Sequence, residues 1–274
     1  MNKAQDVLSR AFTAAAWTIE KPQDGQQKEC YIASDSIRNV FIKFDVPSNS
    51  LERLGELGVA PRVLASGTYH GQRYVIQEFL AGAYPDRAWI ASHIDEVAGL
   101  IRKYHEDRPL AEILAQGEHL TYRQHIDHDL AVLERKAAGQ AAAPLRPALR
   151  TLKALAASLD DGPLVPVHNE PNTKNMLVHA GGLTFIDWDE VLLSDPLRDI
   201  GVLLWWYLPL HQWQDFFSSY GTPLTSAVEA KIYWFAARAS LAICLWHIQH
   251  GYPMGEFYDD FLAALHLQPN PHAS

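Results

Sequence analysis

His168-Asn169-Glu170-Pro171-Asn172-Thr173-Lys174-Asn175, followed one short hairpin later by Ile186-Asp187-Trp188-Asp189, decides how the rest of this chain is read. The first segment offers an acidic side chain and an amide at a fixed offset. The second places a carboxylate at the end of the apolar run Leu183 to Ile186. Moving a phosphoryl group from a nucleotide calls for such a set: an acid facing the acceptor hydroxyl, and an amide with a carboxylate to hold Mg²⁺. Glu170 takes the first role, Asn175 and Asp187 the second. Taken alone, Asn, Pro, Asn and Thr make only a polar turn. The abrupt change from apolar strand to acid at Asp187 gives the pair its weight.

The neighbours of these segments read more modestly. His168 follows an apolar strand, so its ring is expected to pack beneath the loop and bond backbone carbonyls. Asp189 and Glu190 are expected to be structural or solvated, with a second metal or a cationic substrate as the other options. Asp195-Pro196 opens a helix, with Pro196 in its first turn and Asp195 as cap. Asp199, one turn in, is expected to brace the loop from below.

Further out, the first third reads as strands and turns. Cys30 to Ala33 and Val40 to Phe44 form one apolar pair. Val63 to Ala65 and Tyr74 to Phe79 form another around His70-Gly71. A short helix is expected over Ser50 to Leu57, stopped by Gly58 and Pro61. Beyond Gly82 the pattern turns helical. Ser92 with Asp95 predicts a capped start, and Ile94, Val97, Ala98, Ile101 and Tyr104 recur at helical spacing. Tyr122 to Ala137 and Pro147 to Leu159 are further helices. Leu164 to Val167 is a strand entering the key loop, Met176 to Val178 leaves it, and Gly181-Gly182 turns the chain back. Helices fill Pro196 to Leu267, and the last residues read as a loose tail.

These motifs resemble the aminoglycoside phosphotransferase and choline kinase superfamily. Its catalytic segment is usually His-Gly-Asp or His-Asn-Asp, four residues, then Asn, and it stands here as His168-Asn169-Glu170 with Asn175. Its metal segment stands as Ile186-Asp187-Trp188-Asp189, and its trailing Gly-Asp-Pro…Asp as Ser194-Asp195-Pro196…Asp199. The resemblance implies an α+β, protein-kinase-like fold of two lobes. A small β-rich N-lobe over residues 1–79 would bind nucleotide, and a larger, mainly helical C-lobe over 80–274 would carry the catalytic loop, the metal site and the acceptor helices.

By the same resemblance, Lys43 is the strand lysine that contacts nucleotide phosphates, and Glu52 is the acid paired with it. Glu56 is a weaker candidate, and Asn49 with Glu52 reads equally as a capping box. Gln77-Glu78-Phe79-Leu80, before Gly82, corresponds to the hinge whose backbone meets the base. Leu100 to His105 matches the helix end that usually reads Leu-His. The nucleotide loop, Gln23 to Lys28, has a single glycine, Gly25, and Gln27 or Lys28 either touches phosphate or forms a solvated turn. The implied reaction is Mg²⁺-assisted transfer from ATP or GTP to a hydroxyl of an aminoglycoside-like antibiotic, an amino-alcohol such as choline, or a sugar. Asn169 leans towards the amino-alcohol.

One departure is serious. Glu170 stands where the family has Asp, and its extra methylene moves the carboxylate by about 1.5 Å. A shift of roughly 1 Å can cost about a hundredfold in rate. The alternative reading is therefore a catalytically weak or inactive nucleotide- or ligand-binding relative. Asn175, Asp187 and Lys43 argue for retained activity. A metal-dependent hydrolase using the same carboxylates is a further rival.

Composition sets the outer bounds. The 274 residues carry a formal net charge of -9, which argues against a nucleic-acid partner and suits a cationic or neutral small acceptor. No apolar run is long enough to span a bilayer, and Met1 to Trp17 lacks the apolar core of a signal peptide. Cys30 and Cys244 read as reduced, buried thiols of a cytoplasmic protein. The aromatic load of the C-terminal half includes Trp205-Trp206-Tyr207, Trp213, Trp234, Trp246 and Tyr252. At helical spacing these are mostly core, with stacking on an acceptor as the other role. Asp86, Trp89, Asp215, Glu256, Asp259 and Asp260 are candidates for an acceptor rim, by default a solvated face.

Overall fold

The computed structural model of this chain describes residues 3–13, 16–22, 29–116 and 120–271. The candidate nucleotide loop, Gln23 to Lys28, lies outside the described residues. Helix α1 (Lys3–Ala11) and strand β1 (Thr18–Glu20) come first, then β2 (Cys30–Ser34), β3 (Asn39–Phe44), α2 (Ser48–Glu56), β4 (Val63–Tyr69) and β5 (Gln72–Glu78). The five strands form one antiparallel sheet in the order β1-β2-β3-β5-β4. The remaining chain is mainly helical: α3 (Arg87–Ser92), α4 (Ile94–His105), α5 (Arg108–Leu114), α6 (Tyr122–Lys136) and α7 (Arg146–Ala156) precede the 168–175 and 186–189 segments. Those segments lie among four short strands, β6 (Val165–Val167), β7 (Met176–His179), β8 (Gly182–Phe185) and β9 (Leu192–Ser194). Helices α8 (Leu197–Tyr207), α9 (Trp213–Tyr220), α10 (Ser226–His250) and α11 (Glu256–Leu265) follow. This is the expected α+β architecture: a small antiparallel sheet and a larger helical body.

Strand pleating explains how the sheet presents its lysine. Side chains alternate faces along a strand, and Val40, Ile42 and Phe44 of β3 are buried with Ala4, Val7 and Leu8 of α1. Lys43 therefore lies on the opposite face. Its cross-strand partners there are Cys30 of β2 and Val75 of β5, and Val75 belongs to the main core together with Leu51 and Leu54 of α2 and Ile101 and Tyr104 of α4. Both faces of β5 are covered, so Tyr74 to Gln77 are buried in succession. After β5 the chain crosses to the helical body, where Ala83 and Val178 exchange backbone hydrogen bonds of 3.0 and 2.9 Å.

Some local expectations need correction. Helix α1 and strand β1 stand in a region read only as strands and turns beginning at Cys30. The proposed Ser92/Asp95 cap does not form. Asp86 caps α3 by accepting from Trp89 N, and the Ser92 hydroxyl donates back to the Ala88 and Trp89 carbonyls. The Asn49/Glu52 capping box is also absent, since α2 starts after Pro47 without a side-chain cap. Trp205, Trp213 and Trp234 are core residues, whereas Trp246 and Tyr252 are exposed. Both cysteines are buried and form no disulfide. Among the described residues no helix is long and apolar enough to cross a membrane.

Candidate active site

The 168–175 loop is held from beneath by a buried carboxylate. Asp199, in the first turn of α8, is fully buried and accepts from His168 N at 2.7 Å and from Asn169 N at 2.8 Å. The Tyr104 hydroxyl donates to it at 2.8 Å, and His105 Nε2 lies 3.3 Å away. Burial would raise its pKa, but these donors hold the carboxyl below its ordinary value. The expected brace is thus in place.

His168 behaves as a structural histidine. Its Nε2 lies 2.8 Å from the Ile186 carbonyl, its Nδ1 accepts from Glu170 N at 3.3 Å, and its ring packs on Trp188. That pattern assigns the proton to Nε2 of a neutral ring, and burial lowers the pKa accordingly. Asn169 next to it has a positive φ of 75°, a conformation that asparagine tolerates better than most residues. Arg198 Nε holds it there by donating to Asn169 Oδ1 at 2.5 Å. Arg198 is itself paired with the buried Asp129, which also takes Arg238. Burial, with Arg238 beside it, lowers the Arg198 pKa to about 10, so it remains charged at neutral pH. Sequence reasoning missed this network because its members are scattered over α6, α8 and α10.

The backbone at Glu170 is clamped while its side chain is left alone. The Glu170 carbonyl accepts from Asn172 N at 2.8 Å and from Asn175 Nδ2 at 3.0 Å. The Glu170 carboxylate makes no hydrogen bond among the described residues. Desolvation, with Asp187 and Glu190 nearby, raises its pKa. Asn175 is buried, and with its Nδ2 engaged, its Oδ1 accepts nothing among the described residues. Its carbonyl accepts from Ile186 N at 2.8 Å, which joins the two key segments directly.

Asp187 sits at φ 63°, ψ 52°, left-handed geometry that turns the chain out of the β8 hairpin. Its side chain is 50% exposed, and its Oδ1 lies 2.6 Å from Lys43 Nζ, while Asp189 Oδ1 lies 2.9 Å from the same nitrogen. Burial would depress the ammonium, but Asp189 and Asp187 reverse the effect and raise its pKa. The sheet lysine and the Ile186–Asp189 segment therefore meet directly. The partner of Lys43 differs from expectation. Glu52 accepts instead from the Ser66 hydroxyl at 2.7 Å, and Glu56 from Arg53 at 3.2 Å. Arg53 in turn pairs with Asp107 at 2.6 Å, tying α2 to α5. Asp189, read as solvated or structural, is an ion-pair partner of Lys43.

At the hinge, Gln77 Nε2 donates to the Pro61 carbonyl at 3.0 Å and Glu78 Oε1 accepts from Arg62 N at 2.9 Å. Phe79 is exposed, and its N–H bonds the Asn39 carbonyl at 3.2 Å. The backbone of Leu80 to Gly82 makes no hydrogen bond among the described residues.

The model of the phosphotransferase enzyme family, APH, matches residues 49–231, two thirds of the sequence. The chain belongs to that family. Solved structures show the same fold at low identity. The choline kinase LicA from Streptococcus pneumoniae has a TM-score of 0.69 at 17% identity, with 96% of each chain covered. A choline/ethanolamine kinase family protein from Mesorhizobium loti has a TM-score of 0.67 at 14% identity, covering 99% of this chain and 97% of its own. A thermostable mutant of the aminoglycoside phosphotransferase APH(4)-Ia, in ternary complex with ADP and hygromycin B, has a TM-score of 0.66 at 16% identity, covering 97% and 96%.

Proposed function

We propose that this family member moves the terminal phosphate of ATP or GTP to a hydroxyl of a small molecule with the help of Mg²⁺. The observation that carries the reading is the convergence of Lys43 with Asp187 and Asp189 above a loop that leaves the carboxylate of Glu170 unengaged. Relatives of the same fold support it: LicA has been solved with AMP, and APH(4)-Ia with ADP and hygromycin B. In this reading residues 1–79 carry the nucleotide and 80–274 the chemistry and the acceptor. The two buried thiols suit a reducing compartment such as the cytoplasm.

The donor set fits Mg²⁺. A half-exposed carboxylate at Asp187 and the unengaged amide oxygen of Asn175 are hard oxygen ligands that leave room for retained waters. Such an ion supplies charge neutralisation on the phosphate oxygens. Lys43 steadies the phosphates from the sheet side. Because the side chains of Gln77 and Glu78 are engaged within the sheet lobe, the base would meet the backbone from Leu80 to Gly82 and the ring of Phe79. Glu170 orients the acceptor hydroxyl and takes its proton late, since in a loose transition state positioning outweighs basicity. The acids gathered here, with the overall charge of -9, suit a cationic or neutral acceptor.

Phosphate transfer should be measured across a panel of aminoglycosides, amino-alcohols and sugars, with Glu170→Asp and Glu170→Ala beside the unaltered protein. Acceptor-dependent turnover that Glu170→Ala lowers at least about a hundredfold is expected. No transfer to any acceptor by the unaltered protein or by Glu170→Asp, or a rate unaffected by Glu170→Ala, would overturn the assignment.

A further inference from the structure

We propose that Asp189, and no residue of α2, is the group that positions Lys43 for the nucleotide phosphates; this rests on the phosphotransferase reading above. The apolar stripe of α2 directs Leu51 and Leu54 into the core, and its acids lie off that stripe. Glu52 is bonded to Ser66 and Glu56 to Arg53, while Arg53 fastens the helix to Asp107. No acid of α2 is within ion-pair distance of Lys43, so the counter-ion comes from the other side of the cleft.

The two aspartates beside Lys43 are unequal. Asp187 is 50% exposed, whereas Asp189 is 12% exposed and stands on the turn Trp188–Glu190. That turn is pinned: the Trp188 ring is buried, and its Nε1 donates to the Phe185 carbonyl at 3.0 Å. An ammonium has three N–H donors. Two are directed to Asp187 and Asp189, and the third has no partner among the described residues. If Asp187 turns to a metal ion, the sheltered Asp189 keeps the ammonium in the cleft with donors free for phosphate oxygens. Without Asp189, the mostly buried lysine would fall back on Asp187 and compete with the ion for that carboxylate.

A double-mutant cycle tests the assignment, because groups acting through one another couple while independent groups add. MgATP and MgGTP binding would be measured by titration calorimetry for the unaltered protein, Asp189→Asn, Lys43→Met and the double variant. Asp189→Asn should bind about tenfold more weakly, and the double variant no more weakly than Lys43→Met alone. Affinity unchanged in Asp189→Asn would overturn the inference. So would a double variant weakened by the product of the two factors, the behaviour of an acid that binds metal independently of the lysine. Should Asp189→Asn melt early, Asp189→Ser repeats the cycle under the same criteria. If the unaltered protein bound neither nucleotide, the phosphotransferase reading would fall and this inference with it; binding without coupling would overturn the inference alone.

Discussion

Two sets of acids bracket the 168–175 loop and are used in opposite ways. Beneath it, Asp199 and Asp129 are buried and saturated with donors: two backbone N–H groups, a tyrosine and a histidine on the first, two arginines on the second. Above it, Glu170 has no donor among the described residues, and Asp187 and Asp189 both pair with Lys43. The same chemistry gives opposite pKa directions, lowered for Asp199 and Asp129 and raised for Glu170. The lower acids hold the loop's shape. In the proposed reading, Glu170 and Asp187 of the upper set face acceptor and metal, while Asp189 holds the lysine.

Breaking the lower set should have the largest effect. Asp199→Ala leaves the His168 and Asn169 amides and the Tyr104 hydroxyl without their partner in a dry interior, so a stability loss of about 3–5 kcal/mol is expected in urea unfolding, and turnover should go with it. The pH dependence has a definite sign. With its folded pKa lowered, Asp199 contributes stability above the ordinary carboxylate range, and that contribution is lost as pH falls through the lowered value. In the upper set the pattern reverses. Asp187→Asn should cut turnover about a thousandfold, the scale of removing a key electrostatic contact, while the melting temperature moves by only a few degrees.

Glu170→Gln comes next, with a loss of roughly a hundredfold in kcat. Its raised pKa means the folded chain holds that proton more tightly than the unfolded one. The ionised carboxylate therefore opposes folding above that pKa, and Glu170→Gln should melt no lower than the unaltered protein. Turnover of the unaltered protein should fall on the acid side with a midpoint above that of an ordinary glutamate. The smallest effect is expected at Glu52, which lies outside the Lys43 cluster: Glu52→Gln should change the KM for nucleotide less than about twofold, as for a surface substitution.

The fold was legible where local pattern and spacing carry it. The β2–β3 and β4–β5 pairs follow from short apolar runs bounded by turn residues, α4 and α6 from helical periodicity, and the loop and hairpin from 168 to 189 from contiguous motifs. Helix α1 escaped because only Ala4, Val7 and Leu8 mark its buried face, and β9 because three residues carry no period. The proton-poor His168 and the brace at Asp199 could be anticipated, since both lie within the motifs. The counter-ion of Lys43 could not. Which acid meets that lysine depends on how α2 is rotated and tied to α5 by Arg53 and Asp107, a tertiary fact that spacing does not encode. The Asn169–Arg198–Asp129–Arg238 chain is illegible for the same reason.

The division between the two sets of acids is tested most directly by counting divalent ions in the nucleotide complex. Mn²⁺ would be titrated, by electron paramagnetic resonance, into the unaltered protein, Asp187→Asn and Asn175→Ala, each with ADP. Nucleotide-dependent Mn²⁺ binding that both variants weaken strongly is the predicted result, with Asp187→Asn unfolding near the unaltered protein and Asn175→Ala, which loses its bond to the Glu170 carbonyl, less stable but still folded at the assay temperature. Ion binding that is indifferent to both substitutions, or variants that lose the ion only because they have unfolded, would contradict the account.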